Sequence, residues 1–240
     1  MYKLDQFRTT KMNQTIRDRV RCDGQDCFDN DYFNKKLSGP QISHCSYDRI
    51  AIEQNPNFIF CFDELFKEIK PSNIIEIGTY QGACTKAVRD IMLQYSNDFR
   101  VHTFDVRKAE YLLQQDGLLN ITVYHQNIFN GDYSDFADEY SRQILVDIIN
   151  KNGTSCVLCD GGCKPCEFKM LSSIIKQGDY IMLHDYAKDV DIFNKHIKNK
   201  YWNWLEVQDD AIIDSCKTNN LEKVENFNTE KAAWGCFRKL

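Results

Sequence analysis

CVLCDGGCKPC, residues 156–166, admits two readings. Its cysteines, Cys156, Cys159, Cys163 and Cys166, carry the C-x-x-C spacing of a zinc or iron–sulfur site. The same letters also read as a strand, CVLCD, that delivers Asp160 to its end, followed by a loop and the first turn of a helix. Residues three apart on a strand point to opposite faces. Cys156 and Cys159 therefore cannot both reach one tetrahedral ion unless the strand is broken. What flanks the stretch decides whether a strand belongs there.

Outward from it, strands and helices alternate. Upstream, NIIEIG (73–78) reads as a buried strand, 82–95 as a helix and VHTFDV (101–106) as a second strand. A helix over 108–117, closed by Gly117, a strand ITVYHQ (121–126) and a long helix over 133–151 follow. Downstream come a helix over 164–176, a strand DYIMLHDY (179–186) and a helix over 188–199. WLEVQDD and AAWGCFRK read as a closing strand pair. Ahead of all these, NPNFIFCFDELFKEIKP has Phe58, Phe62, Leu65, Phe66 and Ile69 at helical spacing, Asn55 or Asn57 as caps and Pro71 past its end. The alternation predicts an α/β fold. It is a Rossmann-like, mainly parallel sheet of seven strands, covered by helices on both faces and edged by a C-terminal antiparallel pair. The strand reading of 156–160 is the one this rhythm demands. Residues 1–52 lack the pattern and are expected to form short helices and loops, an accessory or lid segment to a domain over 53–240.

The chain's 240 residues and 42% hydrophobic content suit one such domain. A net charge of −5 with interspersed signs argues against a nucleic-acid partner. No apolar run is long enough for a membrane span, and the first residues have no export-signal core. Eleven cysteines without such a signal suggest reduced thiols and a cytoplasmic location. Assembly of several copies of the chain stays open.

In a parallel sheet of this kind, ligands sit beyond the carboxyl ends of the strands. Those ends carry Glu76 and Gly78, Asp105, Gln126 and Asn127, Asp160, and His184 with Asp185. The glycines Gly78 and Gly82 do not form the dinucleotide fingerprint, but glycine at the first turn lets a ligand approach the backbone. His44, His102, His125 and His196 fall into no constellation, and Trp202, Trp204 and Trp234 are expected to pack the terminal strands.

EIGTYQGACT (76–85) resembles the first motif of class I S-adenosylmethionine-dependent methyltransferases. It is most similar to the E-I-G-T-x-x-G-x-S-T form of the catechol-type, macrocin-type and cephalosporin-hydroxylase-like branches. The resemblance covers about residues 54–240, with the acid ending VHTFDV, the DGG after the fourth strand, GDYIMLHDY and the closing strands in order. It implies that Glu76, Gly78, Thr79, Tyr80 and Gly82 hold the methionine part of S-adenosylmethionine. Asp105, with Val106 beside it, would take the ribose hydroxyls, and Gln126, Asn127 and Ile128 would face the adenine. Cys84 stands where these branches place a serine, which passes the cofactor carboxylate to Thr85 or to backbone amides.

The resemblance further implies that Asp160 and Asp185 bind a magnesium ion that activates an acceptor hydroxyl, with His184 as third ligand or as base. Lys164 lies four residues after Asp160, one beyond the usual place of a catalytic lysine. Tyr186 replaces the asparagine of the catechol branch, and Cys163 replaces a common histidine. The implied activity is O-methylation of a small molecule or sugar. The alternative is a member of the same fold that binds the cofactor without transferring its methyl group.

Overall fold

The computed structural model describes residues 14–22, 25–26, 45–109, 119–199, 201, 203–227 and 229–240. The expected helix over 108–117 lies almost wholly outside them, as does Trp202.

Two sheets are present. The larger has seven strands: β5 (Asn73–Ile77), β6 (Arg100–Asp105), β7 (Ile121–His125), β8 (Ser155–Cys159), β9 (Tyr180–Leu183), β10 (Leu221–Lys223) and β11 (Gly235–Lys239). Their order is β10-β11-β9-β8-β5-β6-β7. The five central and distal strands run parallel, while β11 pairs antiparallel with both β9 and β10. The chain leaves β5 toward β6 and β7, then returns to the other side of β5 with β8. The switch point of the sheet is therefore the gap between the ends of β5 and β8.

Side-chain alternation splits the core into two layers. Ile74, Val101, Cys156, Leu158 and Met182 lie on one face, and Ile75, Ile77, Phe104, Val157, Cys159, Ile181 and Leu183 on the other. Cys156 and Cys159 are thus buried on opposite sides of an intact strand, and the metal-knuckle reading of residues 156–166 fails for the reason the spacing gave.

Helices α2 (Phe58–Ile69), α3 (Ala83–Met92), α4 (Glu139–Ile149), α5 (Lys164–Ile174), α6 (Val190–His196) and α7 (Asp209–Thr218) cover the sheet, after a single-turn α1 (Gln14–Arg17). Three local outcomes differ from expectation. Helix α4 starts only at Glu139, because the Asp138 side chain accepts from Ser141 N at 2.7 Å and caps it. WLEVQDD is no strand. Val207 makes one isolated bridge to Tyr186, and Asp209 and Asp210 begin α7, where acids favour the amide end of a helix. The first strand of the terminal pair is instead the short polar LEK of β10.

The third difference lies in residues 14–52. Their described part forms a small antiparallel sheet, β2-β1-β3-β4, from β1 (Val20–Cys22), β2 (Gln25–Asp26), β3 (Cys45–Tyr47) and β4 (Ile50–Ile52). Strands of two or three residues are too short for a period-two pattern to register. Tyr47, Ile50 and Ile52 share a core layer with α2 and α3. Asp90 of α3 accepts from the Tyr47 hydroxyl at 2.8 Å and Arg19 Nη1 at 2.6 Å, and Lys86 pairs with Asp48.

Candidate active site

The parallel register sets Ile77 beside Phe104 on one side and Cys159 on the other, and Cys159 beside Leu183. The residues that follow continue the ladder: Gly78 N donates to Phe104 O, Asp160 N to Ile77 O and His184 N to Cys159 O. Gly78, Asp105, Asp160, His184 and Asp185 therefore share one edge of the sheet.

On the β5–β6 side the polar groups are fixed by backbone. Gly78 and Gly82 have φ of 95° and 86°. A Cβ on Gly78 would lie 2.2 Å from Asp160 O, so only glycine lets the two strand ends close up. The loop turns the Tyr80 amide onto Asp105 Oδ2 at 2.8 Å, and the Arg107 amide meets Oδ1 at 2.8 Å. Each carboxylate oxygen keeps a lone pair for a further donor. Beneath the loop, Glu76 is buried. The Thr85 and Thr103 hydroxyls donate to its Oε2, and Thr79 reaches Thr103 at 2.6 Å. Burial pushes the Glu76 pKa up to about 7 against these hydrogen bonds. Thr85 is fully buried on Glu76, and burial with the nearby Glu76 raises the pKa of the Cys84 thiol, which stays protonated. At the rim, Tyr80 and Val106 are exposed, Ile128 is buried and Asn127 is exposed.

On the β8–β9 side the groups are fixed by charge. His184 Nδ1 lies 2.9 Å from Asp160 Oδ1 and 3.7 Å from Asp185 Oδ1. Gln54, directly after the small sheet, donates from Nε2 to Asp160 Oδ2 at 2.7 Å and accepts from Trp234 Nε1 at 2.8 Å. The Trp234 ring lies against His184, with centroids 4.9 Å apart. Lys164 Nζ contacts Asp185 Oδ2 at 3.1 Å and Glu206 Oε2 at 2.9 Å. Burial alone would lower the His184 pKa, but Asp160 and Asp185 outweigh it and leave it raised. Burial would raise Asp185, but His184 and Lys164 outweigh it and hold it low. Burial would lower Lys164, but Asp185, Asp160 and Glu206 outweigh it, so its ammonium keeps its proton. Tyr186 donates its buried hydroxyl to Asp209.

The loop between these groups is braced by Glu167, which accepts from the Gly161 and Cys163 amides at 3.1 and 3.2 Å. Against the expectation of reduced thiols, Cys163 and Cys166 are joined in a disulfide, while Cys84, Cys156, Cys159, Cys216 and Cys236 are free thiols. A magnesium ion does not fit the donors as they stand. Asp160 and Asp185 converge on one imidazole nitrogen, the Lys164 ammonium already sits on Asp185, and no three His, Cys, Asp or Glu side chains among the described residues group to hold an ion.

No protein-family model and no curated protein sequence matches the chain. Solved structures do. An apo structure of CmcI superposes with a TM-score of 0.60 at 13% identity, covering 89% of this chain and 84% of that one. CmcI with SAH gives 0.52 at 13% identity over 81% of each chain. CmcI with Mg-SAM gives 0.52 at 13% identity, over 81% of this chain and 76% of that one. The chain shares the Rossmann-like fold of these structures. At this identity the likeness is one of fold, and the site has to be argued from its own residues.

Three residues of that site escape the sequence. Gln54 and Glu206 stand in no motif, and each meets its partner only through the fold, with Glu206 lying 42 residues from Lys164. Trp234, expected as packing alone, also orders Gln54 and His184. The pairing of a polar residue just ahead of α2 with a tryptophan near the C-terminus left no local signal.

Proposed function

We propose that the protein is an S-adenosylmethionine-dependent methyltransferase acting on a hydroxyl of a small molecule or sugar. The observation that carries this reading is Asp105. Its carboxylate ends the strand next to the glycine loop, is aimed by two backbone amides and keeps a lone pair on each oxygen for a vicinal diol. The glycine loop would pass the methionine portion toward the β5–β8 gap, and the exposed Val106 would lie along the adenine. CmcI, of the same fold, is known with SAH and with Mg-SAM, which supports the cofactor class.

S-adenosylmethionine, held by the glycine loop and Asp105, would supply an electrophilic methyl group to the acceptor oxygen, its sulfur taking up the bonding electron pair. The hydroxyl proton must leave. Asp160 is the member of the Asp160–His184 pair that can receive it, since its side chain is 15% exposed against 5% for His184. The His184 Nε2 atom is turned into the protein. His184 then acts through Asp160, stabilising and sharing the proton across their 2.9 Å contact. Lys164 holds Asp185 and Glu206 in place. Because its ammonium occupies the cation's position, the transfer is read without a divalent ion.

Calorimetry with SAH tests the cofactor half. Binding is expected, and Asp105→Ala should weaken it roughly tenfold or more, the loss of a charge-assisted pair of hydrogen bonds. Unchanged affinity in that variant would remove the assignment. Transfer of labelled methyl to a panel of hydroxylated small molecules and sugars tests the rest. Tight SAH binding with no transfer to any acceptor would instead favour the non-transferring reading, which the mutually neutralised charges of the β8–β9 side also support.

A further inference from the structure

We infer that Lys164 is the built-in cation of the acceptor site, standing where a divalent ion would have to sit, and that the native protein takes up no such ion there. Its bearing on catalysis rests on the methyl transfer proposed above, whereas its bearing on ion binding does not.

An ammonium has three N–H donors. Lys164 Nζ has three oxygens in reach: Glu206 Oε2 at 2.9 Å, Asp185 Oδ2 at 3.1 Å and the Gly161 carbonyl at 3.3 Å. The head group is fully engaged. The residue is gripped at its other end as well, since the Lys164 amide donates to Glu206 Oε1 at 3.1 Å. One carboxylate therefore holds both the backbone and the side chain of Lys164. The first turn of α5, with Pro165 next in line and the Cys163–Cys166 bridge around it, fixes where the side chain starts. The side chain is 8% exposed, and its partner Asp185 10%. Swinging Lys164 out to solvent would leave the buried Asp185 carboxylate without its ammonium, which strongly disfavours that movement.

A magnesium ion asks for about six oxygen ligands at about 2.1 Å in near-octahedral array. The oxygens that could serve are committed. Asp160 is shared between His184 and Gln54, Asp185 between Lys164 and His184, and both oxygens of Glu206 go to Lys164. An added dication would sit against an ammonium in a half-buried site where screening is weak. Removing the ammonium reverses the balance. Asp185 and Glu206 would lose the ammonium they share, and an oxygen-loving cation would be drawn to the two uncompensated carboxylates in its place.

The probe is manganese alone, followed by electron paramagnetic resonance of the free ion in chelator-stripped protein. The wild-type protein should leave the free signal undiminished. Lys164→Met should gain manganese affinity by roughly tenfold or more, Lys164→Arg should gain none, and adding Asp185→Asn to Lys164→Met should erase the gain. A wild-type manganese site that Asp185→Asn abolishes would overturn the inference, and so would a folded Lys164→Met protein without increased affinity. The wild-type titration decides even where Lys164→Met does not fold. SAH calorimetry on the same preparations keeps the two claims apart: absent SAH binding counts against the proposed function and leaves the manganese result standing.

Discussion

Asp105 and Asp185 both end parallel strands of one sheet, and both face the same edge, yet they are held by different means. Asp105 is held by the amides of Tyr80 and Arg107, which carry no net charge and do not change with side-chain identity. Asp185 is held by an ammonium and an imidazole, drawn from Lys164 and His184. A carboxylate on amides is aimed but not neutralised, which suits recognition of neutral hydroxyls. A carboxylate on an ammonium is neutralised and immobile, which suits a scaffold for the group that reacts. The halves of the site therefore differ in what can damage them: backbone geometry on one side, side-chain charge on the other.

The largest effect is expected where the two halves touch. Gly78 has φ of 95°, and a Cβ there would meet Asp160 O at 2.2 Å and Asp160 C at 2.7 Å. Both atoms are backbone, so the clash cannot be relieved by rotating a side chain. Gly78→Ala should cost about 3 kcal/mol of stability, from strain plus separation of the strand ends. That is a fall in Tm of roughly 6–12 °C for a chain of this size. SAH binding should disappear with it. Thermal unfolding and calorimetry check both, and a Tm within about 2 °C of wild type would show that β5 and β8 can part without harm.

The contrast also explains what could be read from the letters alone. The glycine loop, its strand and the acid one strand away are contiguous or evenly spaced, because backbone-built sites need particular residues at particular turns. EIGTYQG and the end of VHTFDV therefore pointed to the cofactor half before any coordinates. The mainly parallel sheet followed from alternation, and Cys156 and Cys159 fell on the faces that period two assigns. The proposed acceptor half is assembled from residues 54, 160, 164, 184, 185, 206 and 234, and apart from Lys164 only its strand-end members stood out as candidates. Lys164 was legible as a candidate but not its charge state, which is set by Asp185 and Asp160 together with Glu206, the last from a loop with no motif. The small N-terminal sheet stayed hidden because strands such as CSY and IAI are shorter than the pattern that reveals a strand.

Acidity separates the halves in a second way. Glu76 is a buried carboxyl held by hydroxyls, and its pKa is raised to about 7, whereas the charge-held Asp185 has its pKa lowered. The two signs oppose each other. For Asp185, stability is present above its unfolded pKa and is lost as pH falls through the lower folded value. For Glu76, the unfolded chain ionises first, near 4.5, so stability is lost as pH rises from there to about 7 and stays lost above. Glu76→Gln keeps an oxygen that can accept from both threonines and cannot ionise. The variant's stability relative to wild type should therefore grow by about 3 kcal/mol between pH 4.5 and 7. Urea unfolding across that range is the measurement, and a difference that does not change with pH would mean Glu76 is ionised throughout.

The smallest effect is the sharpest test of the comparison. Arg107 looks important: its guanidinium lies 3.7 Å from Asp105 and over the Tyr80 ring at 5.6 Å. A reading based on charge would make it a clamp on the acid proposed to take the ribose. The side chain is 71% exposed, however, and an exposed pair of that length is screened by water and salt. What holds Asp105 is the Arg107 amide at 2.8 Å, and alanine keeps that amide. Arg107→Ala should therefore change stability by no more than about 0.5 kcal/mol and SAH affinity by no more than about twofold. Raising the salt concentration should move wild-type and variant affinities together. A loss of affinity as large as that of Asp105→Ala, shrinking as salt rises, would show that the cofactor half is held by side-chain charge as the acceptor half is, and the distinction between them would fall.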